Sequence, residues 1–257
     1  MTGQLVNFMI IGGLQKFSLL DYPGGVSAII FTRGCNFRCR FCYNPMLVWP
    51  EKVEEGSKSK YARKNNIGRQ KDHAAISQDD LFVFLNGRVG KLDAVVITGG
   101  EPCLQKDLPE LIKKIKVLGF KVKLDTNGSY PEVLEKLLKE KLVDYIAMDL
   151  KAPEKKYAAV TGVKGLFKQV EKSVKLIMES KLPYEFRTTV APGLIDKDDI
   201  PAMGKLIRGA RLWYLQNFKS NLDLVDSGLK GKVPYNSRQM NEMAEIGRRF
   251  VKKCEIR

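Results

Sequence analysis

The strongest constraint on the fold of this 257-residue chain is a repeated alternation of apolar runs with amphipathic stretches. Short apolar runs rich in β-branched residues predict buried strands, and apolar residues that recur every three or four positions predict helices. Repeated strand–helix units favour a parallel sheet with right-handed crossovers. The predicted strands are residues 26–31, 94–98, 121–125, 145–149, 184–190 and 212–216. The predicted helices are residues 80–85, 108–118, 131–140, 166–179 and 198–208, with a final helix at about 237–252.

Length and composition predict one domain, because 257 residues at 44% hydrophobic content can bury a sizeable core. No linker or internal repeat divides the sequence. No apolar run reaches 18 residues and no signal peptide is evident, so we expect a cytoplasmic protein with no membrane association and five reduced cysteines.

The formal net charge of +15 favours acidic partners. We expect much of this charge on solvated helix faces. Its one local concentration, residues 58–71, lies in a basic insertion at about 53–75 that we interpret as a loop. No RNA-binding signature supports a nucleic-acid partner, whereas an acidic electron carrier or a partner enzyme suits the charge.

Three cysteines in one short segment, Cys35, Cys39 and Cys42, indicate a metal or cluster site. Three thiolates leave one coordination position of a four-ligand site free, which is typical of catalytic rather than structural sites. Their C-x3-C-x2-C spacing differs from the paired cysteines of zinc ribbons and from the four-cysteine runs of ferredoxins.

The residues between these cysteines include Asn36, Arg38 and Arg40. We expect this polar, electropositive setting to lower the thiol pKa and to favour the ligating thiolate. The alternative is a zinc ion that takes a distant fourth ligand, from the only histidine, His73, or from one of the two remaining cysteines.

A second motif, Gly99-Gly100-Glu101-Pro102, follows the next predicted strand. Its two glycines allow the backbone to approach a ligand closely, and Glu101 offers a carboxylate to a cation. Together with the cysteine segment, this motif resembles the radical S-adenosylmethionine (SAM) superfamily. The resemblance implies a single domain with a partial (β/α)6 barrel, its core at about 26–218. It also implies one [4Fe–4S] cluster and SAM as cofactors.

Polar and charged side chains follow the later predicted strands, where each strand ends. Because the carboxyl ends of parallel strands surround one cavity, we expect these side chains to lie together. Two carboxylates that face one cavity need a cation or a shared proton to coexist. The residues are Asp125, Thr126, Asn127, Asp149, Lys151, Arg187 and Gln216.

The strand-end motifs further resemble the activases of glycyl radical enzymes, among them the pyruvate formate-lyase activating enzymes. Residues 12–24 resemble the branch that activates anaerobic ribonucleoside-triphosphate reductase. The resemblance implies that SAM is cleaved reductively and that hydrogen is abstracted from a glycine of a partner, here anaerobic ribonucleotide reductase. A ferredoxin or flavodoxin-type protein would supply the electron.

Site roles are implied residue by residue. Cys35, Cys39 and Cys42 would hold three irons, while SAM chelates the fourth. The SAM-binding set would be Phe41 and Tyr43 at the adenine, Gly99, Gly100 and Glu101 at the methionine ammonium, and Thr126, Asn127 and Gln216 around them. Asp125 and Asp149 would hold a monovalent cation, Lys151 and Arg187 would face the SAM carboxylate or the partner's backbone, and Asp21 would bind the partner's glycine loop.

Two other functions stay open on the sequence alone. One is a radical SAM enzyme that acts on a small molecule or a tRNA base, in deazapurine formation or tRNA modification. The other is a non-catalytic metal-binding module.

Overall fold

The structure is a computed structural model that describes residues 9–48 and 75–257. The predicted basic insertion therefore lies, apart from its last residue, outside the described residues, as does His73. The strands are β1 Ile11–Ser18, β2 Ser27–Thr32, β3 Ala94–Gly99, β4 Lys121–Thr126, β5 Tyr145–Asp149, β6 Tyr184–Val190, β7 Trp213–Asn217 and β8 Cys254–Ile256. The helices are α1 Pro45–Val48, α2 Gln78–Asn86, α3 Leu108–Val117, α4 Pro131–Lys139, α5 Glu154–Thr161, α6 Phe167–Glu179, α7 Ile200–Leu206 and α8 Ser237–Arg248.

All eight strands form one sheet in which spatial order follows chain order. Strand β1 is antiparallel to β2, and every later neighbour pair is parallel. Within the described residues β1 and β8 do not pair with each other, so the sheet is open. The six predicted strands correspond to β2–β7, which confirms the predicted α/β fold class.

Four of the described helices and strands were not predicted from the sequence. Helix α1 has only four residues. Strand β1 contains two adjacent glycines and pairs with β2 in an irregular register. Its sequence therefore shows little alternation of apolar and polar residues. Strand β8 has only three residues, one of them charged. Helix α5 has little amphipathic pattern, and its end is marked by Gly162 in a left-handed conformation.

The two faces of the sheet have different cores, because successive side chains of a strand point to opposite faces. On the outer face, Ile97, Leu124 and Ile146 are buried in one large cluster with residues of the covering helices, such as Leu111 and Ile112. This helix-covered face supplies most of the apolar core.

The inner face carries a smaller apolar cluster near the amino ends of the strands, formed by Tyr22, Ile29, Ala94, Val96 and Tyr145. The rings of Tyr22 and Tyr145 meet edge to face at 6.3 Å. Towards the carboxyl ends, the same face carries polar and charged side chains that surround a cavity. Among the described residues no helix is long and apolar enough to pass through a lipid bilayer.

Candidate active site

A cavity of about 270 Å³ opens at the carboxyl ends of the parallel strands. It gathers every predicted site residue except Asp21. These residues are Cys35, Phe41, Cys39, Cys42, Tyr43, Gly99, Gly100, Glu101, Asp125, Thr126, Asn127, Asp149, Lys151, Arg187 and Gln216. Sequence reasoning missed the other lining residues, which are Phe37, Asn44, Val48, Thr98 and Thr189.

The cysteine segment is held in place by backbone hydrogen bonds on both sides of Cys39. The Arg38 amide donates to the Thr161 carbonyl at 2.7 Å, and the Arg40 amide donates to the Val160 carbonyl at 3.1 Å. Both carbonyls belong to the last turn of α5. The helix that the sequence did not predict therefore positions the middle cysteine.

The expectation that the thiols have lowered pKa values is wrong for the protein without bound metal. Burial raises the pKa of Cys35 and of Cys39 to about 12, and the charge of Lys151 opposes this only partly. The neighbouring arginines make other contacts. Arg38 donates to carbonyl oxygens of its own segment, and Arg40 pairs with the Asp226 carboxylate at 2.7 Å. The thiols therefore need a metal to become thiolates.

Both glycines of the second motif are required by the packing of the two loops. Gly99 has φ +118°, and a Cβ on it would lie 2.4 Å from the Thr32 amide nitrogen. A Cβ on Gly100 would lie 2.0 Å from the carbonyl oxygen of Gly34, just before the first cysteine. The next amide, that of Glu101, donates to this same carbonyl at 2.8 Å. The motif thus fixes the start of the cysteine segment.

The carboxylate of Glu101 is fully buried and bound by the protein itself. It accepts hydrogen bonds from the Cys103 amide at 3.0 Å, the Thr126 hydroxyl at 2.7 Å and the Asn127 amide at 2.7 Å. Glu101 also lines the cavity, and its contact with a cationic ligand stays a prediction. Burial outweighs those donors and raises the Glu101 pKa.

The Asn127 side chain joins the end of β4 to the cysteine segment. Its amide nitrogen donates to the Asn36 side-chain oxygen at 3.0 Å, and its own oxygen accepts from the Ser129 hydroxyl at 2.6 Å. Asn36 in turn donates to Ser129 at 2.9 Å. The Asn36 and Asn127 side chains therefore link the cysteine segment to the loop that follows β4.

A network of ion pairs runs across the inner face from β4 to β6. Arg187 donates to Asp125 and to Asp149, each at 3.0 Å. Lys123 donates to the other Asp125 oxygen at 2.7 Å, and Lys151 donates to the other Asp149 oxygen at 2.9 Å. Each carboxylate oxygen thus has one protein cation. The expected monovalent cation is not shown, because these side chains already balance both carboxylates.

The network also fixes the charge states of its members. Burial alone would raise the pKa of Asp149, but Lys151 and Arg187 outweigh it and hold the pKa at about 2. Burial of Asp125 is likewise outweighed by Arg187 and Lys123, so its pKa is lowered. Both carboxylates therefore stay ionised at neutral pH. Lys123 is 2% exposed and was missed because it lies inside a strand.

The two predicted adenine contacts have partners within the protein. The Lys151 ammonium lies 5.7 Å from the centroid of the buried Phe41 ring. Tyr43 stacks on Phe218 at 6.2 Å, and its hydroxyl accepts from the Lys219 amide at 2.8 Å. Both rings line the cavity, so contact with adenine stays a prediction.

Asp21 is the one predicted site residue that the structure keeps away from the cavity. It lies on the connection into the amino end of β2, where its carboxylate accepts from the Ser18 hydroxyl. The cysteine segment leaves the carboxyl end of the same strand, and six residues of strand span about 20 Å. The structure therefore does not support the predicted contact of Asp21 with a loop inside the cavity.

Within residues 9–48 and 75–257, no group of three or more His, Cys, Asp or Glu side chains is arranged to hold a single metal ion. The zinc alternative therefore finds no such group in the described parts of the chain.

Comparison with known proteins gives relatives over most of the chain. A Methanocaldococcus jannaschii protein with the provisional name glycyl-radical enzyme activating enzyme is 32% identical, over 96% of this chain and 95% of its own. The pyruvate formate-lyase-activating enzyme of Streptococcus mutans is 26% identical, over 77% of this chain and 72% of its own. A Thermococcus kodakarensis protein provisionally named GTP 3′,8-cyclase is 29% identical, over 84% of this chain and 64% of its own.

A solved structure supports the fold. SuiB from Streptococcus suis, bound to S-adenosylmethionine, superposes with a TM-score of 0.56 at 18% identity, over 87% of this chain and 48% of its own. The family model described as the Radical SAM superfamily matches residues 29–206, which include most of β2, the cysteine segment and β3–β6. Because this match covers more than half of the chain and contains the three cysteines of the cavity, the chain belongs to the radical SAM superfamily.

Proposed function

We propose that this enzyme is an activase that abstracts a hydrogen atom from a glycine of a partner protein. The observation that carries the proposal is the relative named as a glycyl-radical enzyme activating enzyme, which matches over nearly the whole length of both chains. The pyruvate formate-lyase-activating enzyme among the relatives supports the same reaction.

Membership of the superfamily implies a [4Fe–4S] cluster and SAM, and the residues present fit both. Cys35, Cys39 and Cys42 line one cavity, and their buried thiols need metal coordination to ionise. When bound, the two cofactors supply the reductive cleavage of SAM and a carbon-centred radical that abstracts hydrogen.

The chain's own residues position the reactants and exclude water. The Gly99–Gly100 turn brings backbone to the cavity, which suits an ammonium group, and the Thr126 hydroxyl and the Asn127 amide hold the Glu101 carboxylate beside it. Lys151 is the cation that faces both the cysteines and the Phe41 ring, and it suits a carboxylate ligand. Arg187 holds Asp125 and Asp149 in fixed positions, and we assign it an orienting role.

Hydrogen abstraction requires the glycine of the partner to come within about 3–3.5 Å of the radical carbon. Buried aromatic side chains such as Phe37 and Phe41 line the part of the cavity beside the cysteines. An extended glycine loop that enters at the carboxyl ends of the strands would meet this geometry, whereas Asp21 is too far away to guide it.

The proposed partner is anaerobic ribonucleotide reductase, on the resemblance of residues 12–24. The proposed reductant is an acidic ferredoxin or flavodoxin-type protein, which suits a net charge of +15.

The test uses the anaerobically reconstituted enzyme with SAM, dithionite and the anaerobic ribonucleotide reductase encoded in the same genome. We expect 5′-deoxyadenosine together with a glycyl radical whose EPR doublet collapses when the reductase carries deuterated glycine. Cys39→Ala should abolish both signals and Cys254→Ala, at a buried thiol in β8, should keep them. Formation of 5′-deoxyadenosine without a glycyl radical on any glycyl radical enzyme of that genome would contradict the proposal.

A second candidate is a radical SAM enzyme that acts on a small molecule, because the relative named GTP 3′,8-cyclase covers 84% of this chain. The distinguishing experiment adds GTP in place of the partner protein. Stoichiometric 5′-deoxyadenosine with consumption of GTP would favour this candidate, and no consumption would favour the activase. A tRNA base as substrate is tested in the same way with unmodified tRNA.

A further inference from the structure

The hydroxyl group of Tyr157, on α5, is buried without a hydrogen-bond partner among the described residues. The whole residue is 3% exposed. A buried hydroxyl that loses water and gains no partner is destabilising, so such groups in native proteins call for an explanation. One explanation is an acceptor that belongs to a bound group.

The backbone places this tyrosine beside the cysteine segment. The amides on either side of Cys39 donate to the carbonyls of Val160 and Thr161, one turn further along α5. The Thr161 hydroxyl donates back to the Tyr157 carbonyl at 2.7 Å, so this part of the helix is a regular turn. Cys39 therefore lies against the same end of α5 that carries Tyr157.

Ring packing fixes the direction of the side chain. The Tyr157 ring meets Phe37, which lies between the first two cysteines and lines the cavity, edge to face at 5.9 Å. The same ring also meets Phe167, edge to face, at 5.3 Å. These two ring contacts hold the side chain in a place where its hydroxyl is buried.

The surroundings also keep the hydroxyl protonated. Burial raises the pKa of Tyr157 well above its ordinary value, and Cys39 is the titratable group that raises it most after burial. The hydroxyl is therefore a donor at any physiological pH.

We propose that the Tyr157 hydroxyl donates a hydrogen bond to a sulfide of the cluster on its Cys39 side. Hydrogen bonds to the sulfurs are among the factors that set the potential of an iron–sulfur cluster. A donor favours the reduced cluster, which carries one more negative charge, and so raises its reduction potential. One electron enters from the reductant, and the hydroxyl keeps its proton throughout. Tyr157 is thus a positioning residue that makes the cluster easier to reduce.

The inference depends on the cluster and not on the identity of the partner. Its test is an EPR-monitored redox titration of the reconstituted holoenzyme without SAM, comparing wild type with Tyr157→Phe. We expect the ratio of reduced to oxidised cluster at a fixed potential to fall about three- to tenfold, where tenfold equals 59 mV for one electron. The potential is independent of the yield of loaded protein, so incomplete reconstitution does not affect the comparison.

The matched control is Tyr184→Phe, which removes a buried hydroxyl at the amino end of β6, remote from the cysteines. Its hydroxyl accepts from the Arg211 amide at 3.4 Å, and we expect an unchanged potential. Equal potentials for wild type and Tyr157→Phe, or equal shifts in both variants, would overturn the inference.

A second measurement separates this role from a purely structural one. In metal-free protein the Tyr157→Phe change removes an unpaired hydroxyl, so the melting temperature should stay the same or rise. A clear fall would mean that the hydroxyl has a protein partner, which contradicts the inference. The redox titration needs no partner protein, so its result does not depend on whether the enzyme is an activase.

Discussion

The two edges of the sheet carry different chemistry although the same strands form both. At the carboxyl edge, cysteines, glycine turns and ion pairs surround a cavity. At the amino edge, residues such as Tyr22, Ile29 and Tyr145 pack into an apolar cluster. The direction of the strands decides which residues meet: Asp21 is close to Cys35 in sequence but lies at the opposite edge. The residues of the site are therefore predicted by their position at the carboxyl end of a strand and not by their nearness in sequence to the cysteines.

The largest expected effect comes from the charge network at the carboxyl edge. Arg187→Met should lower the free energy of unfolding by about 3 kcal/mol, because it leaves two buried carboxylates with one lysine each. Arg238→Met, which removes an ion pair on the exposed face of α8, should cost less than about 0.5 kcal/mol. Urea unfolding of both variants measures the difference. Similar values would mean that the network does not stabilise this edge.

Alanine substitutions of glycines at the two edges should also differ in their effect on stability and on iron loading. Gly100→Ala forces a methyl group against the Gly34 carbonyl and should cost about 2–3 kcal/mol and reduce iron loading. Gly119→Ala introduces the same methyl group at the amino end of β4, where no atom lies within 4 Å, at a position with φ +87°. It should cost about 1 kcal/mol and leave iron loading unchanged. Unfolding and iron analysis test both, and equal iron loading would contradict the packing argument.

The pH dependence of stability should report the ionised Asp149. Its folded pKa of about 2 lies below its ordinary value of 3.8, so its contribution is present above about pH 4 and is lost as the pH falls towards 2. Wild type should exceed Asp149→Asn in the free energy of unfolding by about 2 kcal/mol near neutral pH. The gap should narrow between pH 4 and pH 2. A gap that is constant over this range would show that Asp149 has no lowered pKa.

The smallest effect is expected at Asp21. Asp21→Asn disturbs one hydrogen bond with Ser18 at the amino edge and should cost less than about 1 kcal/mol. The rate of 5′-deoxyadenosine formation without a partner protein should equal that of wild type. A marked loss of this basal reaction would place Asp21 at the active site, against the geometry of β2.

The sequence predicted the strands that are buried on both faces, because they are continuous apolar runs, such as residues 94–98. It did not predict β8, because three residues are too few for a periodic pattern, and it missed α5, whose apolar positions are irregular. Yet α5 holds the Cys39 segment and carries Tyr157. Such contacts depend on tertiary packing, which no local pattern encodes.

Site residues were predicted correctly as cavity-lining where a charged residue stands at the carboxyl end of a predicted strand, as Asp125 and Asp149 do. The partners of these residues were not predicted, because Lys123 lies within a strand pattern and its burial depends on the carboxylate beside it. The expected lowering of the thiol pKa was wrong, because it was inferred from the charges beside the cysteines in sequence, whereas burial decides the outcome.

The central claim is that three thiols from one segment hold a cluster at the carboxyl edge of the sheet. Its most direct test is iron and sulfide analysis of anaerobically reconstituted protein, with Cys35→Ser, Cys39→Ser and Cys42→Ser combined in one variant and Cys254→Ala as the control. We expect about four irons per chain in wild type and in the control, from the [4Fe–4S] stoichiometry, and background iron in the triple variant. Four irons retained by the triple variant would contradict the account.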